Sequence, residues 1–216
     1  VRELVSNGCD AVSKMKRLLS MGEAKLAEGE GEDPWRIDVI ANADEGTLTF
    51  TDNGIGMTAE EVKKYIAQVA FSGAVEFLKK YKAEDGESGI IGHFGLGFYS
   101  AFMVSKKVVI DTLSYQEGAQ AVRWISEDGM EYDLEDSDRT TRGTAITLYL
   151  NDEDKEFVNL WTLRQTLEKY CQFMPVPIYV SEVKAPKEGE EQKEAPKPEQ
   201  INDTHPLWLK RPADVK

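Results

Sequence analysis

Two glycine-rich stretches carry the residue types that could do chemistry in this chain. The first is DNGIGM, from Asp52 to Met57, and the second is GHFGLGF, from Gly92 to Phe98. Asp52 follows an apolar alternating run at a tight turn, and its carboxylate can only accept hydrogen bonds. The second stretch runs into GFYSAFMV, which predicts a helix, and a glycine-rich loop that feeds a helix N-terminus offers free N–H groups to an anion. One carboxylate for a base and one amide cradle for phosphates suggest a nucleotide site.

Each stretch also has a plainer interpretation. Asp-Asn-Gly is common turn chemistry, so DNGIGM by itself is equally well explained as a hairpin turn. GHFGLGF could be a flexible loop closed by Phe94 and Phe98. It does not follow a strand within a βαβ unit, and it lacks the Lys and Ser/Thr of a P-loop. Phosphate binding here would therefore depend on backbone amides and a metal.

A polar stripe is predicted on the first helix, over residues 1–21. Apolar residues at helical spacing predict that helix. Glu3, Asn7, Asp10 and Lys14 recur at i, i+4, i+7 and i+11, so they share one face. A solvated face with ordinary ion pairs is the competing interpretation. Against it, the stripe offers a base, an amide oxygen for a hard cation and a second acceptor, and Mg²⁺ takes few protein ligands.

The elements that must position these residues are strands and helices in separate runs. Alternation and turn signals predict strands over 35–43, 47–51, 108–114, 121–126, 130–134, 145–150 and 176–180. Helices are predicted from a Thr58–Glu61 capping box to about residue 70, from Ser72, after the glycine loop to about 104, and from Asn151 or Asp152 to about 173. Strands adjacent in meanders favour an α+β two-layer sandwich, with a mostly antiparallel sheet covered on one face by helices. A doubly wound α/β fold is disfavoured, because strands do not alternate with helices.

Composition limits the partners. The net charge of −13 over 216 residues argues against nucleic acid or an anionic membrane as the main partner, but not against ATP bound with Mg²⁺. Cys9 and Cys171 are most simply a reduced, cytosolic thiol pair without metal-ligand spacing. No apolar run is long enough to span a bilayer, and no signal-peptide pattern opens the chain.

The chain is predicted to have three parts. Residues 1–181 form one domain, and 182–200 form a linker of Lys, Glu and Pro that is disordered by composition. Residues 201–216 regain apolar content and are expected to begin a further module. Since the chain opens at Val1 inside a predicted helix, we expect an N-terminal segment of the domain to be missing.

Four ordered motifs carry a resemblance to a known family. RELVSNGCDAVSK, DNGIGM, GHFGLGFYSAF and RGTAITLYL resemble the ATP-binding motifs shared by gyrase, histidine kinases, the mismatch-repair protein MutL and the ninety-kilodalton heat-shock chaperones. ELVSNGCDA, GFYSAF, YDLEDSDRTTRGT and the charged linker before HPLWLKRPAD are most similar to the chaperones in their bacterial form. The resemblance covers nearly the whole chain and implies a Bergerat-type ATP-binding fold.

The resemblance implies a role for each matching residue. Glu3 matches the general base that polarises the attacking water, and Asn7 matches the Mg²⁺ ligand. Asp52 matches the carboxylate that accepts from the adenine amino group, and Thr144 the hydroxyl that supports it. The other implied nucleotide contacts are Asp10 and Lys14 near sugar and phosphate, Gly56 and Met57 against the base, Gly95 and Gly97 in the phosphate loop, and Phe98 in the pocket wall. Residues 72–94 match a mobile lid.

The chain departs from the family pattern at Tyr65, Phe71 and His93, where Asn, Lys and Gln are frequent. The first two bear on how the sugar edge is held. A middle domain of the family would supply the arginine that reaches the γ-phosphate.

The expected function is that of the ATPase domain of a cytoplasmic chaperone that responds to stress. ATP or ADP with Mg²⁺ would close the lid and bias a homodimer of the longer protein around unfolded client proteins, while this chain by itself is expected to be a monomer. A histidine-kinase-type domain is the first alternative. It is disfavoured because residues 1–216 include no dimerisation helix with a phospho-acceptor His before the motifs, and because the chaperone-like linker follows them. A non-hydrolysing nucleotide sensor is the second, and Glu3 argues against it, since a sensor needs no base.

Overall fold

The computed structural model describes residues 1–26, 35–66, 97–127, 131–183 and 197–206. The α-helices are α1 (Arg2–Ser20), α2 (Ala59–Tyr65) and α3 (Leu160–Cys171), and 3-10 helices cover Gly97–Met103 and Asp152–Val158. The strands are β1 (Ile37–Asn42), β2 (Thr47–Asp52), β3 (Ser105–Leu113), β4 (Val122–Ser126), β5 (Asp133–Asp136), β6 (Gly143–Leu150), β7 (Ile178–Val183) and β8 (Glu199–Gln200).

The described strands form one mixed sheet in the order β5-β4-β3-β6-β2-β1-β7-β8. The pairs are antiparallel except β1 with β7, which run parallel. The predicted α+β fold with a mostly antiparallel sheet is therefore confirmed. Strand β2 lies between β1 and β6, so the turn that follows Asp52 emerges from the middle of the sheet, where neighbouring strands can support it.

The hydrophobic core lies between the sheet and the helices. On β1 the alternate residues Ile37, Val39 and Ala41 are buried, as period-two alternation requires of a strand with one covered face. Helix α1 contacts both β1 and β2 and buries an apolar face that includes Val5 and Val12. The polar stripe therefore belongs to a helix that is anchored on the two strands leading to the Asp52 turn.

The start of α2 is as predicted. Thr58 is its N-cap, the Thr58 hydroxyl accepts from the Glu61 N–H, and the Glu61 carboxylate accepts from the Thr58 N–H. This reciprocal capping box satisfies two otherwise unpaired donors. The predicted continuation to residue 70, the helix from Ser72 and the lid over 72–94 lie outside the described residues.

The helix predicted from Asn151 or Asp152 to about 173 is two helices in the structure. A 3-10 helix ends at Val158, and Asn159 then takes an extended conformation with φ −69° and ψ 120°. Its side chain accepts from the N–H groups of Trp161 and Thr162, so Asn159 is the N-cap of α3. The segment after the glycine loop is likewise a 3-10 helix, which ends at Met103, shortly before β3 begins.

The C-terminal strands extend further than predicted. β7 continues to Val183 and β8 pairs with it, so both ends of the predicted linker over 182–200 are strand. The buried Asn202 carboxamide accepts from the Ile178 N–H and donates to the carbonyls of Met174 and Val176. The division of the chain into three parts stays a prediction, but residues 199–203 pack on this sheet. Within the described ranges, no helix has the length and apolar character needed to cross a membrane.

Candidate functional site

The predicted stripe on α1 is a partly buried surface, not a solvated face. Asp10 is only 4% exposed, and Glu3, Asn7 and Lys14 are half-buried. Burial lowers the pKa of Lys14, and the carboxylates of Asp10 and Glu61 oppose that shift. The Lys14 side chain therefore lies on the side of α1 that faces the capping box of α2. The structure brings the four stripe residues onto one side of α1, as the spacing predicts.

Asp52, the last residue of β2, is a buried carboxylate with 8% exposure. Its Oδ1 accepts from the Gly54 N–H at 2.8 Å, and the Thr144 N–H on the neighbouring strand β6 also reaches it. Burial raises the pKa of Asp52 to about 6, while the Gly54 N–H, Arg139, the Thr144 N–H and Arg142 act to lower it. The Asp52 carboxylate is therefore a hydrogen-bond acceptor that is largely shielded from water.

Small residues let the Asp52 turn lie directly against α1. A Cβ on Gly54 would come within 2.5 Å of the Ala11 carbonyl carbon, and a Cβ on Gly8 would lie 3.4 Å from the Asp52 Cβ. The Ile55 N–H donates to the Ala11 carbonyl at 3.2 Å. These contacts place the turn beside the middle of α1, between Asn7 and Lys14 along the helix. The two predicted halves of the site, the stripe and the carboxylate, are therefore neighbours.

The backbone after the turn is equally close to its surroundings. Gly56 has φ +62°, and a Cβ there would lie 1.8 Å from the Leu113 carbonyl oxygen, so this position accepts only glycine. The Tyr115 N–H then donates to the Ile55 carbonyl at 2.8 Å. The family role of Gly56 against a base thus coincides with a point where the backbone has no room for a side chain.

Thr112, which sequence reasoning missed, joins three parts of the site. It is fully buried on β3, and its hydroxyl accepts from the Met57 N–H at 2.9 Å. The same oxygen lies 2.9 Å from the Thr144 hydroxyl and 3.2 Å from the Gly143 carbonyl. Thr112 therefore fixes Met57 and Thr144 relative to each other. The sequence signal was weak, since one threonine in an apolar strand is ordinary β composition.

Arg139 and Arg142 also contact the Asp52 turn, and the sequence analysis gave neither of them a role. The Arg142 guanidinium donates from Nη1 to the carbonyls of Asn53 and Gly54, and Arg139 donates from Nη2 to the Asp52 carbonyl at 3.4 Å. Arg142 is 8% exposed and its guanidinium carbon lies 5.3 Å from the centre of the Trp35 ring. Arg142 stands in the RGT motif, which was the sequence signal, but only Thr144 of that motif was given a role.

The phosphate end of the predicted site is described in part. Phe98 is buried and makes edge contacts with Phe102 and Trp124, at ring-centre distances of 6.1 and 5.8 Å. Gly97 begins the 3-10 helix. Gly95 lies outside the described residues, as do Phe71 and His93. Among the described residues, no group of three or more His, Cys, Asp and Glu side chains could hold a metal ion.

Comparison with known proteins shows the family of the chain. Residues 1–152 match the family model of histidine kinase-, DNA gyrase B- and HSP90-like ATPases. The whole chain is 47% identical over 216 residues to a chaperone protein HtpG of Porphyromonas gingivalis, and it covers 31% of that protein. It is 50% identical over 215 residues to the HtpG of Bacteroides fragilis, covering 30% of it. For the HtpG of Shewanella putrefaciens, 96% of the chain aligns at 40% identity and covers 32% of the relative. The chain thus spans about a third of the length of these curated relatives.

Proposed function

Because the chain belongs to the family of histidine kinase-, DNA gyrase B- and HSP90-like ATPases, we propose that it binds ATP or ADP between α1 and the Asp52 turn and hydrolyses ATP. The observation that carries this proposal is the buried Asp52 carboxylate beside the α1 stripe. The carboxylate accepts from the adenine amino group, while Gly56 and Met57 bound the base. Asp10, Lys14, Gly95, Gly97, Phe98 and Thr144 complete the proposed nucleotide contacts.

Asn7 is the proposed protein ligand for Mg²⁺. Its amide oxygen is half-buried on the α1 stripe, between Glu3 and Asp10. Because the described residues contain no cluster of metal-binding side chains, an ion here would take its remaining ligands from phosphate oxygens and water. Mg²⁺ commonly binds in this way, with few protein ligands and several waters. The ion would screen the negative charge of the phosphates near the acidic stripe.

Glu3 is the proposed general base for hydrolysis. It lies one helical turn before Asn7, so a water beside the phosphate end of the nucleotide would be within its reach. A carboxylate at that position can take a proton from the attacking water. Glu3 is half-buried near the start of α1, at the opposite end of the stripe from Lys14. In this proposal the two ends of the stripe have different roles: Glu3 lies at the end where ATP is hydrolysed, and Lys14 lies at the end near the sugar.

The longer protein to which this domain corresponds is proposed to be a chaperone. Its relatives are named chaperone protein HtpG. We propose that nucleotide closes a lid over 72–94 and biases a homodimer around partly folded client proteins. The charged linker over 182–200 and the further domain from 201 stay predictions, and β7, β8 and Asn202 belong to the sheet of this domain. The buried free thiols of Cys9 and Cys171 suit the reducing cytoplasm.

Base selectivity tests the nucleotide site. Guanine presents a carbonyl where adenine presents an amino group, so it would meet the Asp52 carboxylate acceptor to acceptor. Losing a charged hydrogen bond costs about 1.5–3 kcal/mol, which is about tenfold or more in affinity. Calorimetric titration should therefore show ATP and ADP binding well above GTP, and Asp52→Asn should lose that binding.

The matched control is Asp38→Asn. Asp38 is partly buried on the adjacent strand β1 and pairs with Arg36, so this substitution removes the same charge without touching the proposed base contact. Equal affinities for ATP and GTP, or an Asp52→Asn variant that binds like the Asp38→Asn variant, would refute the assignment.

A further inference from the structure

The three carbonyl groups of the Asp52 turn are met by two arginines from one segment. The carbonyls belong to Asp52, Asn53 and Gly54, and they accept from Arg139 or Arg142 in the stretch that leads into β6. Buried or partly buried carbonyls need donors, and Asn53 and Gly54 lie beyond the end of β2, where the sheet ladder no longer supplies them. The guanidinium groups therefore supply donors to the backbone that follows the residue that is proposed to read the base.

Arg142 is placed there at an electrostatic cost. A cation with 8% exposure loses most of its hydration, and the Trp35 ring and two carbonyls offset only part of that loss. The nearby Asp52 carboxylate has the opposite charge, and the Arg142 guanidinium acts to lower its pKa. Arg142 thus offsets part of the cost of burying the Asp52 carboxylate, while its hydrogen bonds go to the backbone carbonyls of the turn.

Arg139 also acts to lower the pKa of the Asp52 carboxylate, and it is less buried than Arg142. Its Nε donates to the Thr141 carbonyl at 2.9 Å, which orients the guanidinium toward the turn. Burial lowers the pKa of Arg139, and the carboxylates of Asp52 and Asp111 oppose that shift. The second carboxylate, Asp111 on β3, already accepts from Arg123 at 2.8 Å. Arg139 therefore acts chiefly on the Asp52 side.

We propose that Arg139 and Arg142 are positioning residues for base recognition: they fix the turn that presents Asp52 and place two positive charges beside its carboxylate. The inference rests on the proposed role of Asp52 toward adenine. It adds that base selectivity depends on two cations that never touch the base. The two residues have different roles: Arg142 mainly holds the backbone of the turn through its hydrogen bonds, and Arg139 mainly provides positive charge near the Asp52 carboxylate.

The division follows from what each guanidinium contacts. One Arg142 nitrogen serves two carbonyls while the planar group lies over Trp35. A lysine ammonium has enough N–H groups for both carbonyls, but its side chain is shorter and has no planar group to lie over Trp35. Arg139 makes a single long contact to the turn, so a lysine there retains most of its effect. Arg142→Lys should therefore impair binding where Arg139→Lys does not.

The charged and titratable groups around Asp52 set the background for a pH test. Arg139 and Arg142 face it from the segment before β6, and Cys9 of α1 lies within electrostatic reach with its pKa raised to about 12 by burial. Asp10 of α1 acts on that same thiol. The nucleotide's own phosphate titrates near the same pH, so affinities must be compared between variants and not read from one curve.

The experiment measures ATP and GTP affinity from pH 5 to pH 8 for the full chain and its variants. For Arg139→Gln we expect ATP affinity to fall about tenfold near pH 6 and less at pH 8, because the pH at which Asp52 loses its proton rises. Arg139→Lys should restore the wild-type profile. Arg142→Lys should lose about tenfold at every pH although the charge is kept. Arg164→Gln, which removes a partly exposed arginine on α3 that pairs with Glu199, should match wild type.

The outcomes separate this inference from the proposed function. The inference is overturned by an Arg139→Gln pH profile parallel to that of wild type, or by an Arg142→Lys variant with wild-type affinity. The proposed function still stands in that case, provided that Asp52→Asn loses binding. Full binding by Asp52→Asn overturns the proposed function itself. Thermal unfolding identifies any variant that does not fold. If Arg139→Gln is one of them, the pH profile of Arg139→Met, which keeps an unbranched side chain without the charge, takes its place, and Arg142→Lys tests the geometric part independently.

Discussion

At the residue scale, the requirements of folding and of binding oppose each other at Asp52. Its pKa of about 6, against an ordinary 3.8, means that burial penalises the ionised form in the folded protein. Each pKa unit corresponds to about 1.4 kcal/mol, so ionised Asp52 costs up to about 3 kcal/mol of stability at neutral pH. The folded protein binds the extra proton between these two pKa values, so this contribution weakens stability as pH rises from about 4 to about 6 and stays unfavourable above that range.

We therefore predict that Asp52→Asn stabilises the protein while it removes nucleotide binding. The free energy of unfolding at pH 7.5 should rise by about 1–3 kcal/mol, an order-of-magnitude range from the pKa change, and the gain should shrink toward pH 4. Urea unfolding at several pH values measures this. Equal stability of the two proteins at pH 7.5 would show that the buried carboxylate is fully compensated by its donors.

Glu3 and Asn7 allow binding to be separated from hydrolysis. Glu3→Ala should bind ATP normally, because Asp52 and the turn hold the base, and should lose about 10² to 10⁴ in hydrolysis rate. Asn7→Ala should instead weaken binding, and only when Mg²⁺ is present. Isothermal titration with and without Mg²⁺ and single-turnover hydrolysis give the two readouts. Glu153→Ala, which changes an exposed acidic residue beyond β6, is the control, and normal turnover by Glu3→Ala would remove Glu3 from its role.

Thr112 is predicted to matter more than a buried threonine usually does. Thr112→Val keeps the shape but leaves the Met57 N–H without its partner and removes the contact with the Thr144 hydroxyl. An unsatisfied buried donor costs about 1–3 kcal/mol, so both stability and ATP affinity should fall. Thr112→Ser should recover both. If the Val variant matched wild type in thermal unfolding and titration, the hydroxyl network would have no energetic role.

At the element scale, the close approach of α1 to the Asp52 turn brings together the two sequence motifs of the proposed site. Gly54→Ala places a methyl group 2.5 Å from the Ala11 backbone, and a helix backbone cannot rotate away as a side chain can. Overpacking of this kind costs about 1–3 kcal/mol, and α1 must shift away from the turn. We predict weaker ATP binding together with lower stability, measured by calorimetric titration and urea unfolding.

Gly118→Ala is the matched control for that substitution. Gly118 has φ +75°, and an added Cβ there would meet no other atom within 4 Å, so alanine introduces backbone strain but moves no element. Its unfolding free energy should fall while its ATP affinity stays at the wild-type value. If both variants lost stability and neither lost affinity, the spacing between α1 and the turn would not control the site.

The predictable part of the fold is the part that local pattern controls. Period-two and helical alternation predicted α1 and strands β1 to β7 to within a few residues, and Thr58 with Glu61 predicted the cap of α2, but β8 lies in a segment that was predicted to be a disordered linker. The break at Asn159 was missed because its cap depends on φ and ψ, not on apolar spacing. The arginines were missed because their contact joins residues 87 to 89 positions apart along the chain, and that pairing follows from β2 lying beside β6. The α1 stripe and Asp52 could be proposed from the sequence because spacing and residue type indicate them, and their role as site residues stays a prediction.

At the scale of the whole molecule, the distribution of cations around the site argues that phosphate chemistry needs help from elsewhere. In the part of the chain that the structure describes, Lys14 lies among the carboxylates of Asp10 and Glu61, and Arg139 and Arg142 are proposed to act at the base end. Lys14 is separated from Glu3 by about three helical turns along α1. The resemblance implies that an arginine of a middle domain reaches the γ-phosphate, and arginines in that role contribute about 10³ to 10⁵ in rate in other phosphoryl-transfer enzymes.

We therefore predict that this chain binds ATP well but releases phosphate slowly until further domains are attached. The comparison is between the chain by itself and a chimera in which it replaces the matching third of the Porphyromonas gingivalis relative, to which it is 47% identical. Under saturating ATP the chimera should turn over at least about a hundredfold faster per site, a conservative fraction of what an added arginine provides. Binding affinity, measured in parallel, should be similar, since Asp52 and α1 are common to both. Equal turnover would mean that the residues of this chain suffice for the phosphate chemistry, and that the cation needed there lies outside the part that the structure describes but within residues 1–216.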